Sequence, residues 1–270
     1  MKAQTIDLEQ SIVTMKRFIT GQLLRSSLDG YVVGLSGGID SAVACALAVE
    51  AVGPEKVLAV MMPFRTSNPD SEAHARELID QLEIDFRHVD ITPMIDAYFA
   101  KITPEIGIRA GNKMARERMS ILFDIAQETH CLVLGTGNRT EIALGYTTWY
   151  GDAACSVNPI GQLYKTDVRA VAEVLDIPMS IRQKAPSADL WVGQTDEDEI
   201  GVTYEQIDRL LARLFEDGET SMATLTDEGF AQTDISRVIS LINRNAFKRR
   251  LPDIAPLGRD EIPQRIQIQE

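Results

Sequence analysis

Gly34-Leu35-Ser36-Gly37-Gly38-Ile39-Asp40-Ser41 follows the apolar run Tyr31–Leu35 and leads into Ser41–Ala51, a stretch rich in Ala and Val with no Pro or Gly. An apolar run that ends in glycines and opens into helix-compatible sequence is a strand–loop–helix unit. The alternation continues outward from it. Lys56–Met62 reads as a strand closed by Pro63, Asp70–Leu82 as a helix and Phe86–Val89 as a strand. Ala115, Met119, Leu122 and Ala126 mark a long helix, and Cys131–Leu134 a further strand. Ahead of the loop, Ile12, Met15, Ile19 and Leu23 recur at helical spacing. The pattern predicts an α/β fold, a doubly wound, Rossmann-like parallel sheet covered on both faces. The second half is helical. Thr203-x-x-Gln206 reads as a capping box for a helix carrying Ile207, Leu210, Leu211 and Leu214, and Ile235, Val238, Ile239, Ile242 and Ala246 form the face of another. One domain over residues 1–270 is expected, with these helices as C-terminal additions and a peripheral tail from about 252 to 270.

The 270 residues are 44% hydrophobic and 25% charged, with a net charge of −13, which excludes a generally basic nucleic-acid or anionic-membrane binder. Met1–Asp7 lacks the basic start and apolar core of a leader, and Glu50 and Glu55 interrupt the best apolar stretch, so no membrane span is expected. Cys45, Cys131 and Cys155, with His74, His88 and His130, show no zinc-ligand spacing and no disulfide framework, which fits a cytoplasmic setting. The acidic total conceals two cationic stretches. Arg109–Arg118 carries +3 and Arg244–Arg250 carries +4, leaving −20 on the remainder, and such patches suit an anionic ligand.

The Gly34–Ser41 loop carries the chemistry. Paired glycines let backbone approach a ligand, and the free N–H groups of the following helix start attract anions. Ser36 and Ser41 add hydroxyls, and Asp40 can hold a cation that neutralises phosphate. The loop is neither G-x-x-x-x-G-K-[ST] nor G-x-G-x-x-G. A loop that grips the β- and γ-phosphates without activating the γ-phosphorus suits pyrophosphate as leaving group and attack at the α-phosphorus. By spacing alone, Arg116 and Arg118 read equally as a solvated helix face, Glu141 as a first-turn acid, and Lys165 as a surface cation. Asp196-Glu197-Asp198-Glu199 reads as an acidic cap ahead of the Thr203 helix.

Ser36-Gly37-Gly38-Ile39-Asp40-Ser41 resembles the PP-loop of the N-type ATP pyrophosphatases. Together with Gly111–Met119, Gly135–Glu141, Tyr150-Gly151-Asp152 and Lys184–Trp191 continuing through Gly193–Glu197, the pattern from the first helix to Pro252 resembles ammonia-dependent NAD synthetase. The resemblance implies an adenine nucleotide alpha hydrolase-like fold and a ligase that amidates deamido-NAD with ammonia through an acyl-adenylate, using ATP and Mg²⁺. It implies ATP contacts at Gly34, Leu35, Ser36, Gly37, Gly38, Ile39, Asp40 and Ser41, completed by Thr136, Lys165 and Ser187. Asp40 and Glu141 would hold Mg²⁺, Asp40, Glu141 and Lys165 would be the catalytic set, and Arg116 and Lys248 would contact deamido-NAD. Phe64–Pro69 and Arg182–Glu199 match segments that order over substrate in the family, and a homodimer is implied.

Three positions depart from the common family pattern: Trp149 where Lys is frequent, Ser156 where Asp is frequent, and Phe247 where His is frequent. These fall in the part expected to contact the pyridine nucleotide. They leave open an enzyme that amidates nicotinate mononucleotide, or another PP-loop ATP pyrophosphatase. A glutamine-using enzyme needs a catalytic cysteine, whereas residue 2 is Lys2 and Cys45 falls in a predicted helix, so free ammonia is the expected nitrogen source.

Overall fold

A computed structural model describes residues 6–100, 107–187 and 195–255. Helix α1 (Leu8–Ser26) leads into strand β1 (Gly30–Gly34), helix α2 (Ile39–Val52), strand β2 (Val57–Met61), helix α3 (Pro69–Leu82) and strand β3 (Asp85–His88). Helices α4 (Thr92–Phe99) and α5 (Ile108–Glu128) then precede strand β4 (Cys131–Leu134). The strands form one parallel sheet in the order β3-β2-β1-β4, with Tyr31 opposite Val57 on one side of β1 and opposite Leu132 on the other. Val157 adds one parallel bridge beside Leu134.

Side chains alternate across the strands, and that alternation builds two cores. Tyr31 and Val33 face α1, α2 and α3, while Val32 faces α4 and α5 on the opposite side. Helix α2 is buried from Ser41 through Ala48, because its small side chains allow it to lie between the sheet and other helices rather than on the surface. The expected doubly wound architecture is the one observed.

The rest of the described chain is helical: α6 (Arg139–Leu144), α7 (Lys165–Val174), α8 (Met179–Arg182), α9 (Asp196–Ile200), α10 (Tyr204–Phe215), α11 (Met222–Asp227) and α12 (Gln232–Arg244). Helix α7 joins the sheet core through Val168 and Val171. Ala143 and Leu144 of α6 join Ile207, Leu210 and Leu211 of α10 and Ile235 and Val238 of α12 in a separate apolar cluster. The start of α10 differs from the predicted capping box. Thr203 Oγ1 accepts from the Gln206 N–H, but the Gln206 side chain takes the Thr203 hydroxyl instead of a backbone N–H. Glu197 Oε1 takes the N–H of the first helical residue, Tyr204, at 2.9 Å, so a second side chain from outside the helix caps its start. No described helix is long and apolar enough to cross a membrane.

Strand β1 pairs with β2 on one side and β4 on the other, so the chain's winding reverses between β1 and β4. The loops leaving these two strands therefore part and open a crevice at the carboxyl end of the sheet. Ser36 and Gly38 line it on one side and Gly135, Thr136 and Gly137 on the other.

Candidate active site

The crevice deepens into a cavity of about 1050 Å³, lined by Gly34, Leu35, Ser36, Gly38, Ile39, Asp40, Ser41, Thr136, Glu141, Lys165, Ser187 and Lys248 among others. That lies at the upper end of the range for one small-molecule ligand, a size suited to two nucleotide-sized substrates. Helix α2 begins at its floor. The N-cap, Gly38, offers no side-chain oxygen to the first-turn N–H groups, which leaves the positive end of the helix turned toward the cavity. The two loop serines brace each other: their hydroxyls lie 3.1 Å apart, and Ser41 Oγ donates to the Gly38 carbonyl.

The two glycines do different things. Gly37 has φ +71°, and a Cβ there would lie 2.1 Å from the Ser71 carbonyl oxygen, so the loop turns where it presses on the first turn of α3. Gly37 is not itself on the cavity wall, and its glycine serves the turn. Gly38 is on the wall.

Three helix starts bring together the expected catalytic residues. Asp40 is in the first turn of α2, Glu141 in the first turn of α6, and Lys165 opens α7. Lys165 is 2% exposed. Its Nζ donates to Asp40 Oδ2 at 2.5 Å and lies 3.2 Å from Glu141 Oε1. Asn138 Nδ2 donates to Asp40 Oδ1 at 2.8 Å, and the Asn138 Oδ1 and Glu141 carboxylate complete a reciprocal cap on α6. A lysine at a helix start opposes the helix dipole, so these carboxylates, rather than α7 itself, hold the ammonium in place. Burial works against the Lys165 charge, but Asp40 and then Glu141 outweigh it and raise its pKa. Burial, reinforced by Asp40 and opposed by Lys165, pushes the Glu141 carboxyl well above its ordinary range.

Sequence reading did not single out a further carboxylate at this site. Asp196 was expected in a solvated cap, yet it is 5% exposed and lines the cavity. The Tyr204 hydroxyl donates to it at 3.2 Å, and the Tyr146 hydroxyl is shared between it, at 3.2 Å, and Glu199 Oε2, at 2.6 Å. Burial raises its pKa against the charge of Lys165 and the two tyrosine bonds. The Tyr204 ring also lies under Lys165 Nζ, 5.1 Å from its centroid.

The two cationic stretches contribute unequally to the cavity wall. Lys248 lines the cavity and donates to the carbonyls of Gly145 and Thr147 at 2.8 and 2.7 Å. Burial lowers its pKa, Asp152 opposes this, and Arg244 and Arg116 add to it. Arg116 is not on the wall; its Nε donates to the Trp149 carbonyl at 3.2 Å. Arg118 is on the wall instead and donates to the Met62 carbonyl. The helical phase explains the exchange, because Arg118 lies three residues after Ala115 and four before Leu122, on the same inward face.

Trp149 and Phe247 meet edge to face with ring centroids 5.2 Å apart, and Trp149 stacks on Tyr150. Ser156 does not join them. Its Oγ accepts from the Val133 N–H, which places it beside β4. Lys184 Nζ donates to Ser71 Oγ at 2.7 Å, tying the segment that leads to Ser187 to α3. Ala188, Asp189, Leu190, Trp191, Gly193 and Gln194, part of the motif quoted above, lie outside the described residues.

A switch-point crevice with an uncapped helix start and a buried lysine between carboxylates places the chain among the doubly wound α/β proteins that take nucleotides at that position. Comparison with known proteins narrows the class. The NAD synthase family model matches residues 11–252, and the chain belongs to that family. An NH(3)-dependent NAD(+) synthetase of Trichlorobacter lovleyi is 50% identical over 241 residues, covering 89% of this chain and 88% of that protein. Among solved structures, an NMN synthetase from Francisella tularensis is 34% identical with TM-score 0.82, covering 93% of this chain and 99% of its own. An NH3-dependent NAD synthetase from Campylobacter jejuni is 32% identical with TM-score 0.79, covering 93% of this chain and all of its own, 100%.

Proposed function

We propose that the chain is a carbon–nitrogen ligase that amidates deamido-NAD with free ammonia, consuming ATP and releasing AMP and pyrophosphate. The observation that carries the reading is the meeting of Asp40, Glu141 and Lys165 beside the Ser36–Ser41 loop. Membership of the NAD synthase family supplies the substrate class.

In the first step the nicotinate carboxylate oxygen attacks the α-phosphorus, the bond to the β-phosphate bridging oxygen breaks, and pyrophosphate leaves. In the second, the ammonia lone pair attacks the acyl carbon, the carbon–oxygen bond to AMP breaks, and the nitrogen sheds its extra proton. The loop N–H groups and Lys165 would offset phosphate charge as it shifts toward pyrophosphate. Thr136 and Ser187, on the cavity wall, would complete the ATP site. Lys248 would hold the second anionic substrate, with Arg116 at the Trp149 carbonyl near it.

Asp40 and Glu141 fit Mg²⁺. Both present hard carboxylate oxygens toward one point, and a divalent cation there would favour the ionised form of Glu141 that burial opposes. Bound there, Mg²⁺ would neutralise polyphosphate charge and orient the phosphates. We treat the whole chain as one catalytic unit, acting as a homodimer in the cytoplasm. The amphipathic α1 is compatible with a contact between copies, and sedimentation velocity would read a dimer mass.

Pyrophosphate release from ATP, measured with deamido-NAD or nicotinate mononucleotide and with or without ammonium, tests the function. Sustained release with deamido-NAD and ammonium together is the expected result, and no stimulation by either pyridine substrate refutes it. A preference for nicotinate mononucleotide would favour the second reading. That reading is motivated by the Trp149–Phe247 pair, two departures from the common pattern that lie in contact. Because ammonia attacks only as the free base, turnover at fixed total ammonium should climb between about pH 7 and 9. A flat profile would count against ammonia attack as the slow step.

A further inference from the structure

Lys165 is fixed at its tip by Asp40 and Glu141, but its backbone is fixed from a different part of the molecule. Asp208 sits on α10, a helix whose other inward residues are Tyr204, Ile207 and Leu211. It is 5% exposed, a carboxylate set into an apolar face and absent from the cavity wall. Burying a carboxylate in such a place is costly unless its oxygens find donors. Asp208 Oδ1 takes the Thr140 hydroxyl at 2.5 Å, and Oδ2 takes the Thr166 N–H at 2.8 Å. Thr140 Oγ1 in turn accepts the Lys165 N–H at 3.0 Å. One side chain thus secures the first two N–H groups of α7, directly at Thr166 and through Thr140 at Lys165. Thr140 belongs to α6 and immediately precedes Glu141 in sequence. The starts of the two helices that carry Lys165 and Glu141 are therefore tied to one another through α10.

The geometry points to Asp208 as a positioning residue for the reaction: by clamping the starts of α6 and α7 it sets the distance between the Glu141 carboxylate and the Lys165 ammonium. This rests on the reading of Lys165 as an ATP-phosphate contact. Asp208 touches no substrate in this scheme, and its influence on ATP passes through Lys165. The consequence is non-additivity. A residue that acts through Lys165 has nothing to transmit once the ammonium is gone, whereas a residue that only supports the fold lowers affinity equally in both backgrounds.

The test is MgATP binding by calorimetry on the full chain, for wild type, Asp208→Asn, Lys165→Met and the double variant, with thermal melts alongside. Asp208→Asn is isosteric but leaves one of the two donors facing an amide NH2. It should weaken MgATP about tenfold in the wild-type background and less than about twofold in Lys165→Met. Thr140→Val removes the same relay from its other end and should reproduce this pattern, and it carries the test if Asp208→Asn does not fold. Equal losses in both backgrounds, or no loss from either relay variant alone, overturn the inference while leaving the proposed function standing. Unchanged MgATP affinity in Lys165→Met removes the nucleotide-site reading, and the inference falls with it.

Discussion

Replacing Lys165 with Met should lower pyrophosphate release with deamido-NAD and ammonia by about 10²–10³-fold, the scale on which removal of one charge-stabilising group acts. Methionine keeps much of the length and apolar stem, so packing against Tyr204 survives and the loss is electrostatic. The change also strips the shared cation from Asp40 and Glu141, which both reach it in the wild type. Breaking a buried ion pair by removing one partner costs about 3–5 kcal/mol. The actual cost here should be smaller, because both carboxylates keep partial contact with solvent, each with 18% of its side chain exposed. Mg²⁺ should then stabilise the variant against heat more than it stabilises the wild type, since a ligand that binds only the folded state raises stability by mass action. Near-normal turnover would sink the role of Lys165, and equal Mg²⁺ shifts in the two melts would count against a metal held between these carboxylates.

Asp40→Asn is the companion experiment and the cleaner probe of metal binding. Glu141 also caps α6, so its loss would mix folding with chemistry. Asp40 caps nothing: its oxygens go to Asn138 Nδ2 and Lys165 Nζ. Asparagine keeps one acceptor and the shape while removing the charge. Its fold should persist, with turnover down about 10²–10³-fold and the Mg²⁺ needed for half-maximal rate displaced upward. Wild-type Mg²⁺ dependence at normal turnover would remove Asp40 from the metal site.

Three strands, β1, β2 and β4, were legible as apolar runs cut off by Gly, Pro and charge, whereas the edge strand β3 is polar and largely exposed; all four lie within about a residue of the predicted spans. The phosphate loop was legible as a composition, and Asp40 with it. What the sequence left open was three-dimensional in origin. Gly37 is glycine because of where α3 begins, thirty-four positions later at Ser71, which no local pattern encodes. Lys165 could not be separated from a surface cation without knowing that α2 and α6 both begin at its tip. Other misses left a readable signal. Asp208 is four residues from Tyr204 and three from Leu211, an acid on the face that should be apolar. Arg118 shares a helical phase with Ala115 and Leu122, whereas Arg116 does not. Asp196 was hidden by its neighbours: in a run of four acids nothing distinguishes the one that turns inward, and only its first position in α9 and the hydroxyls of Tyr146 and Tyr204 do so.

Trp149 and Phe247 are ninety-eight positions apart in the chain and touch as one aromatic contact. A graft that transplants residues 145–155 into a relative, or the turn Ala246–Arg249 by itself, would carry half of that contact and leave a ring without its partner. The two positions form a single unit of inheritance, to be exchanged together by anyone building chimaeras of this enzyme.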